Sequence, residues 1–130
     1  MLQPFKIGDK IQIAHIVTAN DIAQFQGETI HEVYATYSIA REAEWAGRQF
    51  VLQMKEADEE GIGTFVNIEH KAPAFIGEKV VFESVLEEVS GNNVICSFTA
   101  KVGHRIIATG KTGQKIILRE KLNKHFDSFR

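Results

Sequence analysis

The sequence predicts an α+β fold, in which one long helix packs against one antiparallel sheet of about five strands. Two observations predict it. The segment from Thr36 to about Lys55 repeats its apolar residues at helical spacing, whereas the chain after Gly61 alternates with a period of two between short turns. The order of one strand, a helix and then four strands in a meander is typical of α+β proteins.

Length and composition indicate one globular domain covering residues 1–130. The net charge of −2 and the absence of a basic block argue against nucleic acid as the main partner. No apolar run approaches the roughly 18 residues that span a bilayer, and Met1–Lys6 lacks the apolar core of a signal peptide. The single cysteine, Cys96, cannot form an internal disulfide. We therefore expect a cytoplasmic protein that does not bind membranes.

Two short elements are predicted before the helix. Residues Lys10 to His15 alternate between polar and apolar side chains, which indicates a half-buried strand. Thr18 and the residues after it resemble a helix start, and Gly27 ends that segment. Any helix there is expected to have only one or two turns.

The long helix is predicted from a single apolar stripe. Its members recur at spacings of 4, 3, 4 and 4 residues: Ile39, Ala43, Ala46, Phe50 and Met54. Trp45 points away from that stripe, so an oligomer contact is the expected role of its ring. About 18 helical residues measure roughly 27 Å, which is long enough to cross a small sheet.

Four strands are predicted after the helix. In the first, Thr64, Val66, Ile68 and His70 share one face. The other three extend over residues 79–89, 94–102 and 105–118, with turns at 90–93 and 103–104. The charged tail from Arg119 to Lys124 is expected to be a solvated extension.

Strand 79–89 carries valine or another apolar residue on both of its faces, which suggests a sheet covered on both sides. One helix cannot cover both faces, and an exposed edge strand also needs protection. The sequence therefore predicts a homodimer, with a tetramer as the alternative.

Glu44 is an unusual residue within the helix. On a helical wheel it lies about 90° from the centre of the apolar stripe, where a carboxylate is unfavourable without a partner. One interpretation is a surface acid that pairs with Arg48 one turn later. The other is a carboxylate that belongs to a site.

His70 and Thr36 also admit two interpretations each. His70 lies at a strand end on the face expected to meet the helix, either as a hydrogen-bonded core residue or as a general acid or base. Thr36 begins the helix, either as its N-cap or as a hydroxyl beside free backbone N–H groups that bind a substrate oxygen.

The remaining candidates do not indicate a metal or a cofactor. His31-Glu32 is too sparse for zinc, which takes three or four ligands. Gly61-x-Gly63 lacks the third glycine and the following helix of a dinucleotide loop. Cys96 is expected to be a small core residue. We expect neither a metal site nor a cofactor.

Several short motifs, in this order, resemble the hotdog-fold thioesterases. They are Val33-Tyr34-Ala35-Thr36, Glu44-Trp45-Ala46, Gly61-Ile62-Gly63-Thr64 leading to His70, and Ala72-Pro73-Ala74 with Gly77. The most similar subgroup is that of the fluoroacetyl-CoA thioesterase-like proteins. The resemblance implies a long central helix wrapped by a curved antiparallel sheet, dimerised so that sites form at the interface.

The resemblance also implies a function and the residues that perform it. It implies hydrolysis of an acyl-CoA, with a small or medium acyl group, by Thr36, Glu44 and His70. We add Gly63, Thr64 and Val33 as substrate-binding candidates, with Gly63 as a source of an oxyanion N–H. Residues 30–32, Ile-His-Glu, contain no aromatic residue where the fluoroacetyl-specific enzyme is expected to have one. This favours a different acyl group.

Two other functions fit the same resemblance. The hotdog fold also hosts hydratases and dehydratases, which act on an acyl chain without cleaving the thioester. A non-catalytic acyl-CoA binding module would keep the pocket without turnover.

Overall fold

The computed structural model describes residues 1–130 and confirms the predicted fold class, one long helix on a five-stranded antiparallel sheet. The helix begins at Thr36 as predicted and ends one residue before the predicted limit. No helix is long and apolar enough to cross a membrane. The elements are β1 Lys10–Ile16, β2 Ile22–Phe25, β3 Glu28–Tyr34, α1 Thr36–Met54, β4 Glu59–His70, β5 Lys79–Ser90, β6 Asn93–Val102, β7 Arg105–Leu118 and α2 Arg119–Asp127.

The strands are ordered β1-β5-β6-β7-β4, so β1 and β4 form the two edges. The predicted meander is right for β5, β6 and β7, which are joined by two-residue turns, but wrong for β4. Residues 71–78 carry the chain across the sheet, so that β5 pairs with β1 while β4 pairs with β7. The edge β4 therefore has one side free for its whole length.

The core lies between α1 and the inner face of the sheet. All five residues of the predicted apolar stripe are fully buried, which confirms the helix face. They meet inward side chains of the sheet such as Val80, Phe82 and Leu86, each 0% exposed. Cys96 is a buried free thiol of this core, as predicted, and burial raises its pKa to about 11.

The outer face of the sheet is polar. Val81 and Val85 are only half-buried there, and their cross-strand neighbours include Lys101, Lys10 and Ser97. As the sequence indicated, β5 carries valine on the face opposite Phe82, but charged residues are mixed with it on that outer face. A mixed face of charged and β-branched residues is suited to solvent, so the argument for a partner rests on the free edge of β4.

The chain between Ile22 and Tyr34 forms a hairpin, where the sequence had indicated the end of a short helix. A 3₁₀ turn over Ala19–Asp21, capped by Thr18, is the only helical part. Gln26 and Gly27 then have positive φ values of 53° and 80°. Two such residues form a tight hairpin turn rather than a helix end, so β2 and β3 pair as a separate two-stranded sheet.

Asp21 holds this hairpin to β1 and α1. Its carboxylate is 2% exposed and accepts hydrogen bonds from Thr18, from Nε2 of His15 at 2.8 Å and from Nη2 of Arg41 at 3.0 Å. Burial opposes its ionisation, but the bonds from the Thr18 backbone and His15 outweigh that effect, so the pKa of Asp21 is lowered.

The charged tail, predicted as a solvated or interface-edge extension, forms a second helix, α2, whose side chains are mostly exposed. Leu122 is the one residue of α2 that is buried. Arg119 anchors the start of the helix by donating to Glu60 at 2.8 Å and to the carbonyl of Ala57 at 3.0 Å.

Candidate active site

Thr36 and His70 are brought together by the structure. Oγ1 of Thr36 lies 2.9 Å from Nδ1 of His70, within hydrogen-bond distance. Nε2 of His70 is buried and has no hydrogen-bond partner. The ring is thus held at one nitrogen while the other remains available for a substrate group.

The position of Thr36 is set by the residues before it. The N-cap of α1 is Ala35, so the interpretation of Thr36 as an N-cap is wrong, and its hydroxyl bonds to His70 instead. Backbone bonds from Tyr34 to Ala74 and from Ala35 to Asp21, each 2.8 Å, hold the chain that leads into the helix. The first N–H groups of α1 have no acceptor within the helix and are positioned to bind an oxyanion.

Glu44 lies over Gly63 of the edge strand. A methyl group on Gly63 would collide with Oε1 of Glu44, so only glycine leaves room for the carboxylate. The carboxylate forms no ion pair within 4.0 Å, and Arg48 donates instead to the carbonyl of Gly61 at 2.9 Å. The interpretation of Glu44 as the salt-bridge partner of Arg48 is therefore wrong.

Glu44 borders an open groove of about 690 Å³ on the outward side of α1. Trp45, 49% exposed as the wheel predicted, contributes to its rim. The complete lining is Tyr37, Ala40, Arg41, Glu42, Glu44, Trp45 and Arg48. A half-buried carboxylate without a partner beside such a groove can accept a proton from a bound water.

A β-bulge interrupts β4 beside this carboxylate. The register with β7 shifts between Gly63 and Phe65, so Thr64 is the extra residue. A methyl group on Gly113, which faces away from α1, would lie 2.8 Å from Oγ1 of Thr64. Thr64 therefore points to the outer face, not to the face of Val66 and His70 as expected. Its part in substrate binding stays a prediction.

Val33 lies near the Thr36–His70 pair. It shares with His70 a shallow depression of about 320 Å³ whose other lining residues are Lys71, Ala72 and Pro73. One chain thus carries two groups of predicted site residues. The first group is Thr36, His70 and Val33; the second is Glu44 and Gly63.

Comparison with known proteins identifies the family to which the chain belongs. Residues 17–120 match the model of the family described as FlK, fluoroacetyl-CoA-specific thioesterase. The chain belongs to the FlK thioesterase family. A search of curated proteins gave no significant match.

Solved structures agree with membership of the FlK family. A hypothetical protein of Thermus thermophilus, a thioesterase superfamily member, is 31% identical with a TM-score of 0.93, covering 98% of this chain and 95% of that one. The fluoroacetyl-CoA thioesterase FlK itself is 21% identical with a TM-score of 0.87, covering 97% and 98%. A hot-dog-like protein from Thermanaerovibrio acidaminovorans is 20% identical with a TM-score of 0.88, covering 95% and 92%.

The family and fold settle the reaction class. The protein is an acyl-CoA thioesterase with the hotdog fold, which confirms the predicted hydrolysis. No three His, Cys, Asp or Glu side chains converge as metal ligands would.

Sequence reasoning missed two features of the site. The bulge at Thr64 exchanges the faces of the residues on either side of it, and a strict period of two cannot show such a change. The buried amide of Gln114 on β7 was also missed. The available signal was a polar residue at an inward position, two residues before the buried Ile116.

Proposed function

We propose that the protein is a homodimeric hydrolase of small acyl-CoA thioesters, in which each site combines Glu44 of one protomer with His70 of the partner. The observation that carries this proposal is the unpartnered Glu44 carboxylate over Gly63, far from the Thr36–His70 pair. A tetramer made of two such dimers is the alternative assembly. We further propose that the enzyme acts in the cytoplasm without a cofactor.

The separation within one chain supports a site shared by two chains. Thr36 and Glu44 are eight residues apart on α1, which corresponds to about 12 Å along the helix axis. Gly63 and His70 are separated by roughly 20 Å along β4. Reacting groups must approach to about 3–3.5 Å. A single carbonyl that contacts the Glu44 carboxylate is therefore too far from His70 of the same chain.

Pairing of two β4 strands across a two-fold axis would remove this separation. Because of the bulge, an axis at Asn67 would place Val66 opposite Ile68 of the partner and Gly63 opposite the partner's His70. All of these pairs join side chains on the same face, as antiparallel pairing requires. Without the bulge, Gly63 and His70 would point to opposite faces of the strand and could not pair.

The proposed reaction uses each group once. The Thr36 hydroxyl donates to Nδ1 of His70, which leaves Nε2–H to donate to the thioester carbonyl oxygen. Glu44 takes a proton from water as the water oxygen attacks the carbonyl carbon. The C–S bond breaks, and the coenzyme A thiolate leaves and receives the proton from Glu44. The products are the free acid and coenzyme A.

A small, unfluorinated acyl group fits this site best. FlK variants have been solved with acetyl-CoA and with fluoroacetate and CoA, and the depression beside Val33 and His70 is of modest size. In this chain the segment around Ile30, on the exposed hairpin, has no aromatic side chain. We therefore expect little preference for fluoroacetyl-CoA over acetyl-CoA.

The test is thiol release from acetyl- through decanoyl-CoA and from phenylacetyl-CoA, with product analysis. The wild type, Glu44→Gln and the control Glu120→Gln are compared. Glu120 is exposed on the other helix, α2, and does not line the groove beside Glu44. We expect release of free acid that falls about a hundredfold or more in Glu44→Gln and stays within about twofold of the wild type in Glu120→Gln.

Each of the other functions predicts a different result. A modified acyl chain with the thioester intact would indicate a hydratase. Thermal stabilisation by the same compounds without any release would indicate a binding module. Either result would overturn the proposal.

A further inference from the structure

Gln114 is a buried amide without an assigned role. It lies on the inner face of β7, where it is 3% exposed, and it alternates with the buried Thr112 and Ile116. The exposed Lys111 and Lys115 point to the other face. The fully buried polar atoms that lack a partner belong to Tyr34, His70 and Ser84, and the Gln114 amide is not among them. The amide is therefore not sealed off, and it can bond a group that lies beside it.

The location of Gln114 is tied to Glu44 through two glycines. Gln114 pairs across the strands with Gly63, so both face α1, and Gly63 is the residue covered by the Glu44 carboxylate. A methyl group on Gly47 would lie 3.6 Å from Nε2 of Gln114. Gly47 is three residues after Glu44, so the two are neighbours on one helix face. The Gln114 amide therefore lies close to the Glu44 carboxylate.

We propose that Gln114 is a positioning residue for Glu44. Its amide N–H donates to the Glu44 carboxylate when acyl-CoA is bound, and this bond keeps the carboxylate aimed at the attacking water. Rotation about the torsions of the glutamine side chain brings the two groups together. This inference rests on the proposed role of Glu44.

The experiment compares Gln114→Met, which keeps the shape without the polar atoms, with Ser84→Ala. Ser84 is a matched control because it is a polar residue that is 1% exposed on the same inner face of the sheet. The measurements are the melting temperature, kcat and KM on the best acyl-CoA. The variant Glu44→Gln is measured beside them.

For Gln114→Met we expect kcat to fall about tenfold with KM almost unchanged, the loss typical of one hydrogen bond to a charged group. A purely structural role would instead lower the melting temperature without this split between kcat and KM. Ser84→Ala should match the wild type in kcat and in KM.

Wild-type kcat in Gln114→Met, with Glu44→Gln inactive, would overturn this inference and leave the proposed function intact. Full activity in Glu44→Gln would overturn both.

Discussion

Oγ1 of Thr36 and Nδ1 of His70 lie 2.9 Å apart, which joins the first residue of the long helix to the last residue of the edge strand. The bond fixes the orientation of an imidazole whose other nitrogen is buried and unpartnered. The structure thus holds a histidine in place without using the nitrogen that a substrate would need.

Replacing Thr36 by valine keeps the shape of the side chain and removes its hydroxyl. We expect kcat/KM to fall by about 10–100-fold, because His70 loses the bond that sets its tautomer. Thr36 is exposed, so the melting temperature should stay near that of the wild type. Steady-state kinetics of Thr36→Val and of the control Thr36→Ser test this. Equal activity of valine and serine variants would contradict the role of the hydroxyl.

Alanine substitution at two glycines of β4 should affect two different properties, activity at Gly63 and stability at Gly61. In Gly63→Ala the new methyl group must displace the Glu44 carboxylate, so we expect activity to fall about a hundredfold with little loss of stability. In Gly61→Ala the methyl group meets the buried Val51, so we expect a loss of about 1–3 kcal/mol in the free energy of unfolding. Urea unfolding and kinetics on both variants separate the effects. A fully active Gly63→Ala would refute the close approach of Glu44.

The proposed two-fold axis predicts a specific cross-link. Cysteine at position 67 would face its own copy across the axis, so Asn67→Cys should form a covalent dimer under mild oxidation. Glu69→Cys is the matched control, because it is also exposed on β4 but lies about 13 Å from its own copy in this register. Cys96 is buried and does not interfere. Non-reducing electrophoresis gives the answer, and cross-linking of Glu69→Cys alone would exclude this register.

The buried carboxylate of Asp21 predicts how stability depends on pH. The pKa of Asp21 is lowered below the usual 3.8. The carboxylate therefore makes its full contribution to the free energy of unfolding above that pH, and this contribution is lost as the pH falls through the folded pKa. Near neutral pH we expect the free energy of unfolding of Asp21→Asn to be about 2–3 kcal/mol lower than that of the wild type, because the amide cannot form the charged hydrogen bonds. The difference from the wild type should shrink below pH 3.8. Urea unfolding at several pH values tests this, and a constant difference would count against the account.

Much of this fold could be predicted from local patterns. The stripe from Ile39 to Met54 fixes the buried face of α1, and the turns at Gly91 and Gly103 fix the hairpins of β5, β6 and β7. Both signals depend on neighbouring residues, which a sequence shows directly.

The errors concern positions decided by distant contacts. The pairing of β4 with β7 depends on how residues 71–78 cross the sheet, and periodicity carries no information about that path. The hairpin at Ile22–Tyr34 has mostly exposed residues and no strict alternation, so in the sequence Gly27 resembles a helix end rather than part of a hairpin turn.

The geometry of the candidate site could not be predicted from the sequence. The contact between Thr36 and His70 and the contact between Glu44 and Gly63 are both long-range, and neither spacing nor wheel position could show that they form two separate groups. The bulge at Thr64 places Gly63 and His70 on the same face of β4, as the proposed symmetric pairing requires. No recognised pattern in this sequence indicates that bulge.

The most direct test of the central claim is complementation between two inactive variants, Glu44→Gln and His70→Ala. Co-expressed chains form mixed dimers, in which Glu44 of one chain meets the partner's His70 in one intact site. Random mixing should restore about a quarter of wild-type thioesterase activity. No recovery, with mixed dimers shown to be present by mass spectrometry, would contradict a site shared between two chains.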